Sequence, residues 1–143
     1  MTTTEPTPMW HPWRTLREQF SDVDVFFVRL PDGMDGYTDG KAIWLDEELN
    51  QVQRRCTLTH ELWHLRRGIL PADAREERIC DELAARELIP LGLLIDGFRW
   101  TQDPDTLRKH LWVDPPTLQV RLNTLDPIEV AEIEYETNGA WWQ

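Results

Sequence analysis

The chain has 143 residues, 41% of them hydrophobic and 29% charged, enough apolar material for one packed core and too much for wholesale disorder. Its 26 acidic residues outnumber 15 Lys and Arg, giving a formal net charge of -11 at pH 7. That balance argues against a general nucleic-acid binder, because phosphate contacts need clustered cations.

Residues 1–9 carry no apolar period and read as a flexible tail. Trp10 to Phe20 is expected to form a short helix that packs its Trp and Leu side chains. Val23 to Leu30, rich in β-branched and aromatic residues, reads as a strand, broken by Pro31-Asp32-Gly33. Tyr37 to Leu45 is expected to be a hairpin on an Asp39-Gly40 type I′ turn. Its second arm, Lys41 to Leu45, has two readings: an edge that pairs with an extended substrate, or a plain core strand.

A helix follows from about Leu49 to Arg67, with Asp46 as the expected N-cap, Gly68 at its C-terminal end and Pro71 beyond. A second starts near Asp73, which has capping-box spacing to Glu76, and must end by Pro90. Three Asp-Pro pairs come next: Asp103-Pro104, Asp114-Pro115 and Asp126-Pro127. Each joins a good N-cap to a proline at the first helical position, predicting three short helices. The class is α+β: a small antiparallel β-sheet on two long helices, followed by a short-helix C-terminal region. The expected divisions are 1–9 (tail), 10–95 (core), 96–137 (helical, with helix-turn-helix as one reading) and 138–143 (tail).

Six of the fifteen basic residues fall between Arg54 and Arg78, where they either orient an acidic substrate or form a solvated helix face. Cys56 and Cys80 both fall inside predicted helices. With no signal peptide and no apolar run of bilayer length, a reduced, cytoplasmic protein is the expectation.

The first long helix contains His60-Glu61-Leu62-Trp63-His64, an H-E-x-x-H pentapeptide. Positions i and i+4 of a helix are about 40° apart, so both imidazoles leave one face and can hold two corners of a tetrahedral Zn²⁺. Glu61 points off at a different angle, which suits a general base acting on water better than a ligand. Cys56, four residues before His60, shares that face and reads either as a buried thiol or as a further donor.

Zinc needs a third protein ligand, and the second helix offers Glu77. On a helical wheel Glu77 and Asp81 lie with Ala84, Leu88 and Cys80, whereas Arg75, Arg78, Glu82 and Arg86 form the exposed arc. A carboxylate among apolar neighbours is costly unless paired, and a metal supplies the pairing. Glu77 is therefore the expected ligand, with Asp81 bracing a histidine through its second nitrogen. The competing reading pairs these carboxylates with Arg54, Arg55 or a backbone donor. Glu76 and Glu82 point elsewhere.

Thr57-Leu58-Thr59-His60-Glu61-Leu62-Trp63-His64, followed by Glu77-x-x-x-Asp81-x-Leu83-Ala84-Ala85-x-x-Leu88-Ile89-Pro90, resembles the ImmA/IrrE family of zinc metallopeptidases. The likeness covers Gly36 to Pro90 well and the remainder loosely. Asp81 stands where the family usually has Asn, Leu83 where it has Phe, Trp63 where a small residue is common, and Ile79 at a position often acidic. The resemblance implies a zincin-like core with one Zn²⁺ held by His60, His64 and Glu77, Glu61 as catalytic base, and cleavage of a helix-turn-helix repressor. Tyr37 and His110 are candidates for stabilising the oxyanion.

Asp105 to Leu125 reads as two helices with Leu107, Leu111, Val113, Leu118 and Leu122 inside. From Asp96 to Leu125 the formal charges cancel and the segment beyond is acidic, favouring packing or repressor docking over reading DNA. Trp141-Trp142 either covers a groove or belongs to an exposed tail. Two functional classes stand: a repressor-cleaving zinc endopeptidase, or a metal-containing regulator that sequesters its repressor without cutting. Direct nucleic-acid binding and membrane association are not expected.

Overall fold

A computed structural model describes residues 9–141. Among these, the chain runs α1 (Pro12–Gln19), β1 (Asp24–Val28), β2 (Gly36–Thr38), β3 (Ala42–Asp46), α2 (Gln51–Arg67), α3 (Ala74–Leu88), α4 (Leu91–Trp100), α5 (Pro104–Leu111), α6 (Pro115–Asn123) and α7 (Pro127–Thr137). The α+β class holds. No described helix is long and apolar enough to cross a membrane. The expected 1–9 tail falls almost wholly outside the described residues, as does Trp142.

The sheet departs from expectation. Its order is β1-β3-β2, with β2 antiparallel and β1 parallel to β3, so it is mixed rather than antiparallel. Two chain reversals, after β1 and after β2, return β3 to the direction of β1. Pairing β1 on the far side of β3 is then necessarily parallel, and it leaves β2 at an edge. Ile43 and Leu45 of β3 are fully buried with Leu58 and Leu62 of α2. Alternation puts Trp44 on the other face, stacked between Phe26 and Tyr37 at centroid distances of 6.0 and 5.7 Å. Lys41 to Leu45 therefore offers no edge to a substrate: β3 is central.

Local details follow side-chain chemistry. The hairpin turn is not type I′, because Gly40 has a positive φ but Asp39 does not. Instead the Asp39 carboxylate accepts the Lys41 and Ala42 amides at 2.8 and 3.0 Å, closing the turn from its own side chain. Asn50, not Asp46, caps α2 through a reciprocal capping box with Gln53. Asp46 accepts the Leu30 and Glu48 amides instead, tying the loop after β1 to β3. Asp73 caps α3, but the Glu76 side chain pairs with Arg67, so only half of that box forms. Asp103, Asp114 and Asp126 each cap the helix that their proline begins, as the sequence predicts.

Helix α2 is the axle of the molecule. Leu58 and Leu62 face the sheet, and Cys56 joins a second core built from α3 to α7, which includes Leu88, Leu94, Phe98, Leu107, Leu111, Leu118 and Ile133. Arg55, only 2% exposed, donates to the carbonyls of Trp10 and Trp112 and so ties the segment before α1 and the turn after α5 to α2. The shared core explains why α4 runs straight through the expected 95/96 boundary. Leu107, Leu111, Val113 and Leu118 are buried as expected for the α5–α6 pair.

Candidate metal centre

His60 and His64 leave α2 one turn apart, and Glu77 leaves the first turns of α3, which packs on α2. Their donor atoms converge. His60 Nε2 lies 2.9 Å from Glu77 Oε2, His64 Nε2 lies 3.0 Å from Glu77 Oε1, and the two Nε2 atoms are 3.0 Å apart. Among the described residues, this is the group of His, Cys and carboxylate donors that can hold a metal, all within 4.8 Å of one another. Donors at roughly 2.0–2.2 Å from a tetrahedral Zn²⁺ are about 3.3 Å apart. The cluster needs to open by only a few tenths of an ångström, so the residues fit the ion.

Asp81, one turn beyond Glu77, places Oδ1 2.9 Å from His60 Nδ1. The expected contact between Asp81 and the second nitrogen of a histidine is made to His60. His64 has a different partner, which the sequence reading missed: the Cys80 sulfur, 3.4 Å from its Nδ1. The spacing Glu77, Cys80, Asp81 (i, i+3, i+4) was the available signal.

Some placements differ from expectation. Glu77 and Asp81 are half exposed (49% and 51% of their side chains), because their face of α3 looks into an open cleft rather than a packed core. The buried acid is Glu76, held by Arg67 at 3.0 Å and outside the donor cluster. Neither Arg54 nor Arg55 pairs with Glu77 or Asp81: Arg54 lies over the Phe27 ring and Arg55 is bound to carbonyls. Arg66 and Arg67 are taken up by Glu87 and Glu76. Cys56 belongs to the hydrophobic core and burial pushes its thiol up to about 11. His110 stacks on Trp100 and lies outside the cleft, while Tyr37 leans on Trp44 at the cleft mouth.

The cleft, about 780 Å³, is walled by the 33–39 segment on one side and by the start of α6 on the other, with α2 and α3 as its floor. Glu61 lines it and is only 4% exposed. Burial, reinforced by the charges of Glu77 and Asp81 and opposed by His60, raises its carboxyl to about 7. That value suits a group that exchanges protons near neutrality. For His60, burial disfavours the imidazolium, but the Asp81 hydrogen bond and the charges of Glu61, Asp81 and Glu77 prevail and raise it to about 9. His64 is shifted down by burial first and then by the charge of His60.

Gly36 fixes how closely β2 approaches this floor. A Cβ there would lie 2.6 Å from Thr57 Cγ2 and 3.2 Å from Glu61 Oε1. No side chain fits, and its absence lets the edge strand run directly over the base.

Comparison with known proteins finds no matching family model, no matching curated relative and no matching solved structure.

Proposed function

We propose that this chain is a zinc-dependent endopeptidase, with His60, His64 and Glu77 holding one Zn²⁺ and Glu61 acting as catalytic base. The observation that carries the reading is the Glu77 carboxylate, one oxygen 2.9 Å from His60 Nε2 and the other 3.0 Å from His64 Nε2. A zinc ion there supplies Lewis acidity, which acidifies water and polarises a peptide carbonyl. The remaining work falls to the protein. Asp81 holds His60 by its Nδ1, so that its Nε2 faces the centre. Glu61, with its raised affinity for protons, takes one from the attacking water and returns it to the leaving amine.

An extended substrate has one suitable edge beside these groups. β2 is unpaired on its cleft side, and Gly36 brings its backbone close to Glu61. A segment adding to β2 as a fourth strand would cross the floor of the cleft. The resemblance to the ImmA/IrrE family supplies the substrate proposal, a helix-turn-helix repressor whose cleavage relieves repression. The test incubates the purified protein with the repressor encoded beside it, with and without a chelator. Chelator-sensitive cleavage supports the proposal. A stable complex with no cleavage, with zinc bound, replaces it by a sequestering role.

A further inference from the structure

Both histidines present Nε2 to the centre, and each has its Nδ1 against a residue of α3, but the two partners are chemically unlike. His60 Nδ1 meets the Asp81 carboxylate at 2.9 Å, and His64 Nδ1 meets the Cys80 sulfur at 3.4 Å. Cys80 is fully buried and His64 nearly so, so water does not compete for this contact. The sulfur is also 3.9 Å from Glu76 Oε2, and Glu76 is itself fixed by Arg67 Nη2 at 3.0 Å. Glu76, held by a guanidinium, is an acceptor within reach of the thiol hydrogen, which leaves the sulfur lone pairs free to face His64. In that arrangement the sulfur accepts and His64 Nδ1 donates. Its Nε2 then carries the lone pair that a metal at the centre would take.

We infer that Cys80 is a positioning residue for the metal centre: oriented by the Arg67–Glu76 pair, it fixes the ring of His64 and the tautomer that turns Nε2 toward the ion. This rests on the zinc reading above. Metal-ligating histidines usually give their second nitrogen to a carboxylate, a carbonyl or water, and losing that partner weakens binding about 10- to 100-fold. Because a thiol is a weaker acceptor, Cys80 belongs at the lower end of that range.

The test measures Zn²⁺ affinity by chelator competition for the wild-type chain, Cys80→Ala, Cys80→Ser and Cys56→Ala. Long-range ¹H–¹⁵N spectra of the histidine rings accompany it. Expected are a wild-type His64 with Nδ1 protonated and Nε2 on zinc, and affinity about tenfold weaker in Cys80→Ala with that single tautomer lost. Cys80→Ser, which restores an acceptor, should stay within about threefold of wild type. Cys56→Ala removes a buried thiol of the same size that touches no histidine, and should not change affinity. Cys80→Ala matching wild type, Cys56→Ala losing as much, or zinc bound through His64 Nδ1 in the wild type would each overturn the assignment. The wild-type spectrum decides the last point even if Cys80→Ala does not fold. A wild-type chain that binds no zinc overturns the metal reading itself, a distinct result.

Discussion

Asp81 Oδ1 stands 2.9 Å from His60 Nδ1, while Nε2 of the same ring stands 2.9 Å from Glu77 Oε2. One turn of α3 thus grips both nitrogens of a single imidazole, one carboxylate on each side. Only Glu77 is in a position to share a metal with the ring, so Asp81 acts on His60 alone. Asp81→Ala should weaken Zn²⁺ binding about 10- to 100-fold while leaving the fold intact, because the side chain is half exposed. Competition with a chelator of known affinity measures this, with circular dichroism to check folding. Unchanged affinity would remove Asp81 from the centre.

Glu61→Gln separates holding the metal from using it. The amide keeps the size of the side chain and gives up its proton chemistry. Zinc stoichiometry should remain one per chain, and repressor cleavage should fall by about 10²- to 10⁴-fold. Elemental analysis and a gel-based cleavage assay read the two quantities on one preparation. Wild-type turnover in this variant would show that another group serves as base.

The contents of the site were legible in sequence because they depend on one short-range rule. A 3.6-residue period brings His60 to His64 and Glu77 to Asp81, whatever else the chain does. The exposure of the carboxylates was not legible, since a helical wheel gives directions but not what lies opposite. Here Glu77 and Asp81 face the cleft bounded by the 33–39 segment and the start of α6. Helix boundaries were likewise written in Asp-Pro pairs and in Gly68, which adopts a left-handed φ of 69° at the end of α2. Strand partnership was not. β1 reads the same beside β2 or β3, and nothing within the strand itself names its partner. Asp46 looked like a helix cap because its competitor, the Leu30 amide, is sixteen residues away in sequence.

Gly36→Ala tests how closely β2 must approach α2. The added methyl would fall 2.6 Å from Thr57 Cγ2, a distance at which something must move. We expect a loss of about 1–3 kcal/mol in stability from the forced shift of β2 or α2, and lower activity as the edge strand withdraws from the base. Thr57→Ser removes the methyl it would strike. The double variant should recover most of the stability in urea denaturation, and no recovery would mean that the constraint at position 36 lies elsewhere.

The C-terminal helices have no donor in the donor cluster yet hold α3 in place. Glu129 of α7 meets Arg86 of α3 at 2.9 Å and also Arg121 of α6, a guanidinium 2% exposed that donates to the Ile89 carbonyl. Burial alone would raise the Glu129 carboxyl. Hydrogen bonds from Arg121, the Asp126 amide and Arg86 prevail and lower it to about 2. The sign follows: with the folded value below the ordinary 4.5, the unfolded chain binds the proton more readily. Stability from this group is therefore complete above about pH 5 and is lost as pH falls from about 4.5 toward 2. Raw stability cannot isolate it, since acid also relieves the repulsion within a chain of net charge -11. The comparison is with Glu129→Gln, which keeps the capping acceptor for the Asp126 amide and drops the charge. At pH 7 the variant should be less stable by about 3 kcal/mol, because two guanidinia lose their counter-charge. That gap should shrink steadily between pH 5 and pH 3 in urea titrations, and a gap that stays constant with pH would mean that the charge on Glu129 contributes nothing to holding α3, α6 and α7 together.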